Sequence, residues 1–414
     1  MFVESDGLPM RRLAVLFLAA VFVVLGAATP AYADNIRNRE YWLADYGITT
    51  AWNVTRGAGV TIAIIDTGVS GTHPDLAGAV VGGADFSGQG SPDGQKTSGS
   101  HGTMVAALAA GRGHGSGDGV IGAAPEASIL SLSIAFGENV DSDSQVAAAI
   151  TWAVDHGADV INMSFTRETL DWPESWDTAF LYAEKAGVVM VAAAGNRGSG
   201  TAVVGAPATI PGVLTVAGLD RNGKASFDAS AQGITIGVSA PSEQLVGATP
   251  GGGYSLWSGT SGAAPIVAGI AALVKAAHPE LDAAGVIQRI IATARPAGAD
   301  GVDPLYGYGL VDAAAAVSAD VADVSVNPMG DLSDWIRLNR RADAPPVTPS
   351  TGAMPIPEST PIGPPESAVV ALLPSLPMLR DVGIPLLLFA GFFAAFVVLL
   401  VGAGRHFGRL RRRG

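Results

Sequence analysis

A chain of 414 residues can hold one large domain with extensions, and 48% apolar residues with 54 glycines suit a compact, loop-threaded α/β enzyme. It has no cysteine, which excludes disulfides, thiolate nucleophiles and Cys-based metal sites. Net charge is −13; the arginine-rich last ten residues carry +5 and the first 33 balance, leaving −18 on residues 34–404, which argues against nucleic acid as a partner.

In chain order, Met10-Arg11-Arg12, the apolar run Leu13–Ala28 and the small residues Ala31 and Ala33 read as a secretory signal over residues 1–33. Met10 begins a better signal than Met1, so the true start is open between them. Residues 34–59 form an N-terminal extension. Residues 60–318 then alternate apolar strand-type runs with Ala-rich helical stretches. The expected strands are Val60–Ile65, Ser128–Ile134, Val160–Met163, Val188–Ala194 and Val213–Val216. Helices are expected over Met104–Ala110, Ser144–His156, Thr178–Ala186, Ser261–Ala277 and Leu281–Thr293, with Pro279 closing the fourth. Short, fully apolar strands between helices predict an α/β fold with a parallel sheet covered on both faces.

From Ala319 the composition changes. Residues 319–383 read as a linker, with eight prolines between Ala342 and Pro365. Ile384–Gly404 has no charged residue and, at 21 residues, is long enough to be one C-terminal transmembrane helix. Residues 405–414 form a basic tail containing Arg405, Arg409, Arg411, Arg412 and Arg413. Basic residues stay cytoplasmic, so the domain is expected to face outward from the cell membrane on a single pass.

Four residues carry chemistry. Asp66 follows the first strand, in Ile65-Asp66-Thr67-Gly68, and active sites of parallel sheets gather at the carboxyl edge. His101 opens a small-residue helix in His101-Gly102-Thr103. Ser261 opens a long apolar helix within Gly259-Thr260-Ser261-Gly262, where backbone N–H groups and positive potential favour a developing oxyanion. Asn196 ends the strand run in Ala194-Gly195-Asn196 and offers an amide donor to the same oxyanion. Each alone is an ordinary cap or turn residue. Together, in the order Asp, His, Ser, they are the carboxylate, imidazole and hydroxyl of a nucleophilic acyl-transfer site. The other histidines read as structural: His73 in a turn, His114 in a Gly-rich loop, His156 and His278 capping carbonyls at helix ends, and His406 in the tail.

These blocks resemble those of the subtilisin-like serine peptidases, the subtilase (S8) family. Ile64-Ile65-Asp66-Thr67-Gly68-Val69 with His73-Pro74-Asp75-Leu76 is similar to the family's Asp block, His101–Ala106 to its His block, Gly259–Pro265 to its Ser block and Ala193–Asn196 to its oxyanion block. Gly119–Pro125, Val160–Ser164 and Tyr306–Ala313 add to a likeness covering about residues 41–318. The resemblance implies a subtilisin-like fold and a serine endopeptidase: Ser261 attacks a peptide carbonyl, His101 takes its proton, Asp66 orients His101, and Asn196 with the Ser261 N–H binds the oxyanion. It implies an extended peptide or protein substrate lying between a segment with Phe136-Gly137-Glu138 and Ser164-Phe165-Thr166. It also implies that Ala194 and Gly195 bind substrate, and that the pocket for the residue before the scissile bond (P1) depends on residues around Ala192–Gly195 and Val203–Ala206; all are small or apolar, so a small or apolar P1 side chain is expected. The chain departs from the family pattern at Thr166, usually Gly, at Gly262, Met or larger in many relatives, and at Met104, commonly His.

Catalysis of this kind requires no cofactor and no catalytic metal. Structural calcium is an alternative, because Asp75 matches a calcium-binding position in many relatives; the companion loop Gly113–Gly119 contains Asp118 but lacks the usual pattern. The short segment before the first strand, with Glu40–Ile48, the Pro-rich spacer and the single C-terminal helix, resembles the mycosins, membrane-anchored peptidases of type VII secretion, although many mycosins carry disulfides. That implies either an enzyme processing exported proteins or a structural subunit that stabilises a membrane secretion complex. A general membrane-tethered subtilase is the remaining alternative.

Overall fold

The computed structural model describes residues 34–340 apart from Ser116, Glu138 and Asn139. The expected signal, most of the linker, the expected transmembrane helix and the basic tail lie outside the described residues.

The strands are Thr61–Asp66 (β1), Val80–Asp85 (β2), Arg112–His114 (β3), Asp118–Ile121 (β4), Ser128–Ser133 (β5), Val160–Met163 (β6), Val189–Ala193 (β7), Leu214–Leu219 (β8), Ile236–Pro241 (β9), Leu245–Thr249 (β10) and Gly253–Trp257 (β11). After three short helical turns (Asp34–Arg37, Trp42–Asp45, Ile48–Ala51), the helices are His101–Ala110 (α1), Ser142–Asp155 (α2), Glu174–Lys185 (α3), Thr260–Ala277 (α4), Ala283–Ala292 (α5), Ala313–Ser318 (α6) and Leu332–Asn339 (α7). Seven strands form one sheet in the order β2-β5-β1-β6-β7-β8-β9, and every neighbouring pair is parallel. β3 with β4 and β10 with β11 form two antiparallel ribbons.

Side chains alternate across a strand, and β1 shows the result. Ile62 and Ile64 face one core with α1, α4 and α5; Ala63 and Ile65 face the other with α2 and α3. All three isoleucines are fully buried, each contributing about 1.5–3 kcal/mol by leaving water. The parallel sheet is therefore covered on both faces, as its fully apolar strands predict. α4 is apolar and long enough to cross a membrane, but it runs through the core and is mostly buried.

Two boundaries differ from expectation. The N-terminal extension belongs to the folded body: Trp42 and Ile48 are fully buried in the main core. The folded part also runs past Ser318. In α7, Leu332 is buried and the Trp335 ring lies 4.3 Å from that of Trp172, while Arg340 Nε donates to Asp177 Oδ2 at 3.0 Å.

Candidate active site

The carboxyl ends of β1, β6 and β7 meet the N-termini of α1 and α4. Asp66, the last residue of β1, is almost fully buried. Its Oδ1 accepts from the Thr67 N–H (2.7 Å) and the Thr67 hydroxyl (3.1 Å). Both Asp66 oxygens lie 2.9 Å from His101 Nδ1. With Nδ1–H donating to a carboxylate, Nε2 is left as the acceptor that a general base needs. Gly102 allows this approach: a Cβ there would lie 3.2 Å from the Asp66 Cβ and would collide with the Gly68 carbonyl. The Asp66 charge raises the His101 pKa above the usual imidazole range, against burial, which acts to lower it. Trp257 stands edge-on to the His101 ring at 5.7 Å and narrows its surroundings.

Ser261 lies in the first turn of α4, behind Gly259, whose φ of 148° falls where glycine is favoured. Pro265 sits inside α4 and has no N–H, so the Ser261 carbonyl has no helical donor four residues on. The Ser164 hydroxyl takes that place, donating to the Ser261 carbonyl at 2.9 Å. Asn162 Nδ2 in turn donates to Ser164 Oγ at 2.9 Å. The Ser261 hydroxyl itself donates to the Ser164 carbonyl at 3.0 Å. The structure thus joins Asp66 to His101 and Ser261 to Ser164, and no hydrogen bond joins Ser261 to His101.

Asn196 follows β7 and is held through its oxygen. Oδ1 accepts from the Thr260 N–H (2.7 Å) and from the Thr260 hydroxyl (3.0 Å). Two donors on one atom identify it as the carbonyl oxygen and turn Nδ2 the other way. The Nδ2 side faces Gly259, where a Cβ would come within 3.2 Å of it. The fully buried Thr260 hydroxyl also accepts the Gly195 N–H at 3.1 Å. Thr260, the residue before Ser261, therefore holds both the Asn196 amide and the Gly195 N–H.

The expected substrate-binding residues divide. The Phe136 and Phe165 rings lie 5.6 Å apart, bringing together the segment of Gly137 and the wall Ser164–Thr166. Gly195 lies beside Thr166: a Cβ on it would come within 3.2 Å of Thr166 Cγ2. Ala194 is fully buried in the second core, backbone included, and presents no exposed surface to a ligand in this structure. Thr260, Trp257 and the Ser164 hydroxyl were not singled out from sequence. Thr260 lies inside the quoted Ser block, and its signal was there; the other two act through contacts distant along the chain.

The remaining histidines mostly behave as read. His73 Nδ1 accepts the Asp75 N–H at 3.1 Å in a turn, and His156 Nδ1 lies 2.8 Å from the Trp152 carbonyl at a helix end. His278 Nε2 reaches the Val317 carbonyl at 2.8 Å. His114 is not in a loop but on β3, with Nδ1 2.5 Å from Asp75 Oδ1. Asp75 Oδ2 accepts the Val120 N–H at 2.8 Å. Both Asp75 oxygens are thus engaged by N–H groups, and among the described residues no three His, Asp or Glu side chains are grouped to hold a metal ion. Calcium, which takes oxygen ligands, would have to displace these N–H groups to bind Asp75.

Residues 57–309 match the model of the Subtilase family of S8 peptidases. Fervidolysin of Fervidobacterium pennivorans is 35% identical over 71% of this chain and 46% of its own length. Thermitase of Thermoactinomyces vulgaris is 38% identical over 57% of the chain and 82% of its own length. Among solved structures, MycP1 with its N-terminal propeptide removed superposes with a TM-score of 0.61 at 33% identity, covering 69% of this chain and 98% of that one. MycP1 from the ESX-1 type VII secretion system superposes at 0.59, again at 33% identity, over 69% of this chain and 86% of that one. The chain therefore spans about half of fervidolysin but most of thermitase and MycP1.

Proposed function

The chain belongs to the subtilase family of serine endopeptidases, and we propose that Asp66, His101 and Ser261 are its catalytic triad and Asn196 its oxyanion donor. The observation that carries this is the double contact of Asp66 with His101 Nδ1, together with the bond from the Thr260 N–H, immediately before Ser261, to Asn196 Oδ1. In the first step Ser261 Oγ turns from the Ser164 carbonyl, gives its proton to His101 Nε2 and bonds to the peptide carbonyl carbon. The oxyanion takes hydrogen bonds from Asn196 Nδ2 and the Ser261 N–H. His101 then protonates the leaving amine, and water repeats the sequence to release the acyl group. Asp66 orients the ring and stabilises its cation throughout. Nothing in these steps uses a cofactor or a metal, and structural calcium at Asp75 would have to displace the His114 and Val120 N–H groups.

The enzyme works outside the cytoplasm, tethered to the cell membrane by Ile384–Gly404 and cutting exported proteins within reach of its spacer. The signal-like residues 1–33 and the arginines after Gly404 support this placement. The fold likeness to MycP1 favours a mycosin associated with type VII secretion. It also keeps a second reading in view, a structural subunit that steadies the secretion complex. Complementing a deletion strain with Ser261→Ala separates the two. Secretion of processed substrate should fail under the enzymatic reading, and full restoration by the inactive variant would establish the structural one.

A further inference from the structure

The slot beside Ser261 is already partly filled by a side chain of this protein. The Ser261 hydroxyl rests on the Ser164 carbonyl, and Asn196, the proposed amide donor, is held by Thr260, next to Ser261 in the chain. A carbonyl held between them sends the side chain of its own residue between Ser164–Thr166 and Gly195–Asn196. Two glycines border that gap. A Cβ on Gly195 would lie 3.2 Å from Thr166 Cγ2 and 2.6 Å from Thr201 Cγ2. A Cβ on Gly205 would collide with the Arg167 carbonyl and lie 3.0 Å from Thr166 Oγ1. Thr166 therefore stands between the two glycines, its methyl toward Gly195 and its hydroxyl toward Gly205. It is held there: its hydroxyl donates to the Arg167 carbonyl at 3.1 Å, and the Arg167 N–H donates to the Ala206 carbonyl at 2.7 Å. Thr201 is buried, and its N–H donates to the Asn196 carbonyl at 3.0 Å, so the second methyl cannot withdraw.

We propose that Thr166 sets the P1 specificity of this enzyme by closing the slot to aromatic and long aliphatic side chains, so that cleavage follows Gly or Ala. This rests on the endopeptidase reading above. A side chain larger than Cβ must displace the Thr166 methyl, whose backbone is pinned to Ala206, or the Thr201 methyl against Gly195. Pocket methylenes change kcat/KM by about 10–200-fold each, so an Ala peptide should exceed an otherwise identical Phe peptide by about 100-fold or more.

The test uses the full-length protein in detergent and peptides differing only at P1 (Ala, Leu, Phe), with Ser261→Ala as the background control. Thr166→Gly should raise kcat/KM on the Phe peptide by about tenfold or more. Thr166→Val, which keeps the bulk, should reject Phe as the parent does. A gain on Phe cannot come from partial unfolding. Wild-type cleavage of Phe as fast as Ala, or Thr166→Gly without a gain on Phe, would overturn the pocket assignment alone. Absence of any Ser261-dependent cleavage would overturn the endopeptidase reading with it.

Discussion

Removing the Ser164 hydroxyl tests how the nucleophile's backbone is held. In Ser164→Ala the Ser261 carbonyl loses its donor, and Pro265 cannot supply another. Asn162 Nδ2 loses its acceptor too, on a side chain whose Oδ1 is already unpartnered and which is fully buried. Each group left unpaired costs about 1–3 kcal/mol, so the variant should lose about 2–6 kcal/mol of stability. The Ser261 N–H shifts with its carbonyl, and losing about 1.4 kcal/mol of oxyanion stabilisation lowers kcat about tenfold. Adding Pro265→Ala restores an N–H four residues after Ser261. Because that substitution also removes a proline from a helix, the coupling energy of the double-mutant cycle is what counts, and it should be favourable by about 1 kcal/mol. Urea unfolding and initial rates on one peptide measure both quantities. A Ser164→Ala protein of parental stability, or zero coupling with Pro265→Ala, would refute the argument.

Asn196→Ala should lower kcat by about 100- to 1000-fold with KM nearly unchanged, the magnitude known for this donor in subtilisin; an unaltered kcat would remove Asn196 from the site. His101 must be neutral to accept the Ser261 proton, and Asp66 raises its pKa, so kcat/KM should rise with pH through a midpoint above the ordinary imidazole value. Asp66→Asn should move that limb to lower pH and depress the plateau; an unmoved limb would mean another group titrates. Trp335→Ala should cost about 1–3 kcal/mol in chemical denaturation by uncovering Trp172, and no loss would detach α7 from the folded unit. Since N–H groups engage both Asp75 oxygens, a chelator should leave Tm in place, whereas a drop of about 5 °C or more would reinstate calcium.

The parts readable in the sequence are those where one short segment contains its own reason. Val60–Ile65 and Val160–Met163 are buried on both faces, so their apolar runs mark strands within a residue of their ends. β2 escaped because it is an exposed-sided edge carrying Gly82 and Gly83; a Cβ on Gly83 would collide with the Ser131 carbonyl, so the strand is defined by its neighbour. β10 and β11 escaped because only their pairing makes them strands. The same division runs through the site. Asp66, His101, Asn196 and Ser261 each sit in a recognisable block. The roles of Ser164 and Asn162 arise from a contact 97 residues away in sequence, which no local pattern encodes. Thr166 was visible as a departure from the family's glycine, but its consequence needed Gly195 and Gly205 in place around it.

The resting position of Ser261 also bears on how the site works. Its hydroxyl exchanges one neutral hydrogen bond, to the Ser164 carbonyl, for another to His101 Nε2 when it turns to react. Such bonds differ by about 1 kcal/mol or less, so the turn is a small part of a barrier lowered by 8 kcal/mol or more, about the least that enzymes achieve. The positions that cannot be adjusted so cheaply are the backbone of Ser261 and the amide of Asn196. Those are the ones the fold fixes with buried groups, Ser164 from the end of β6 and Thr260 from the start of α4. In the proposed mechanism the fold therefore holds the two oxyanion donors rigidly and leaves the single rotor of Ser261 free, so substitutions at Ser164 and Thr260 should act on kcat more than on substrate binding.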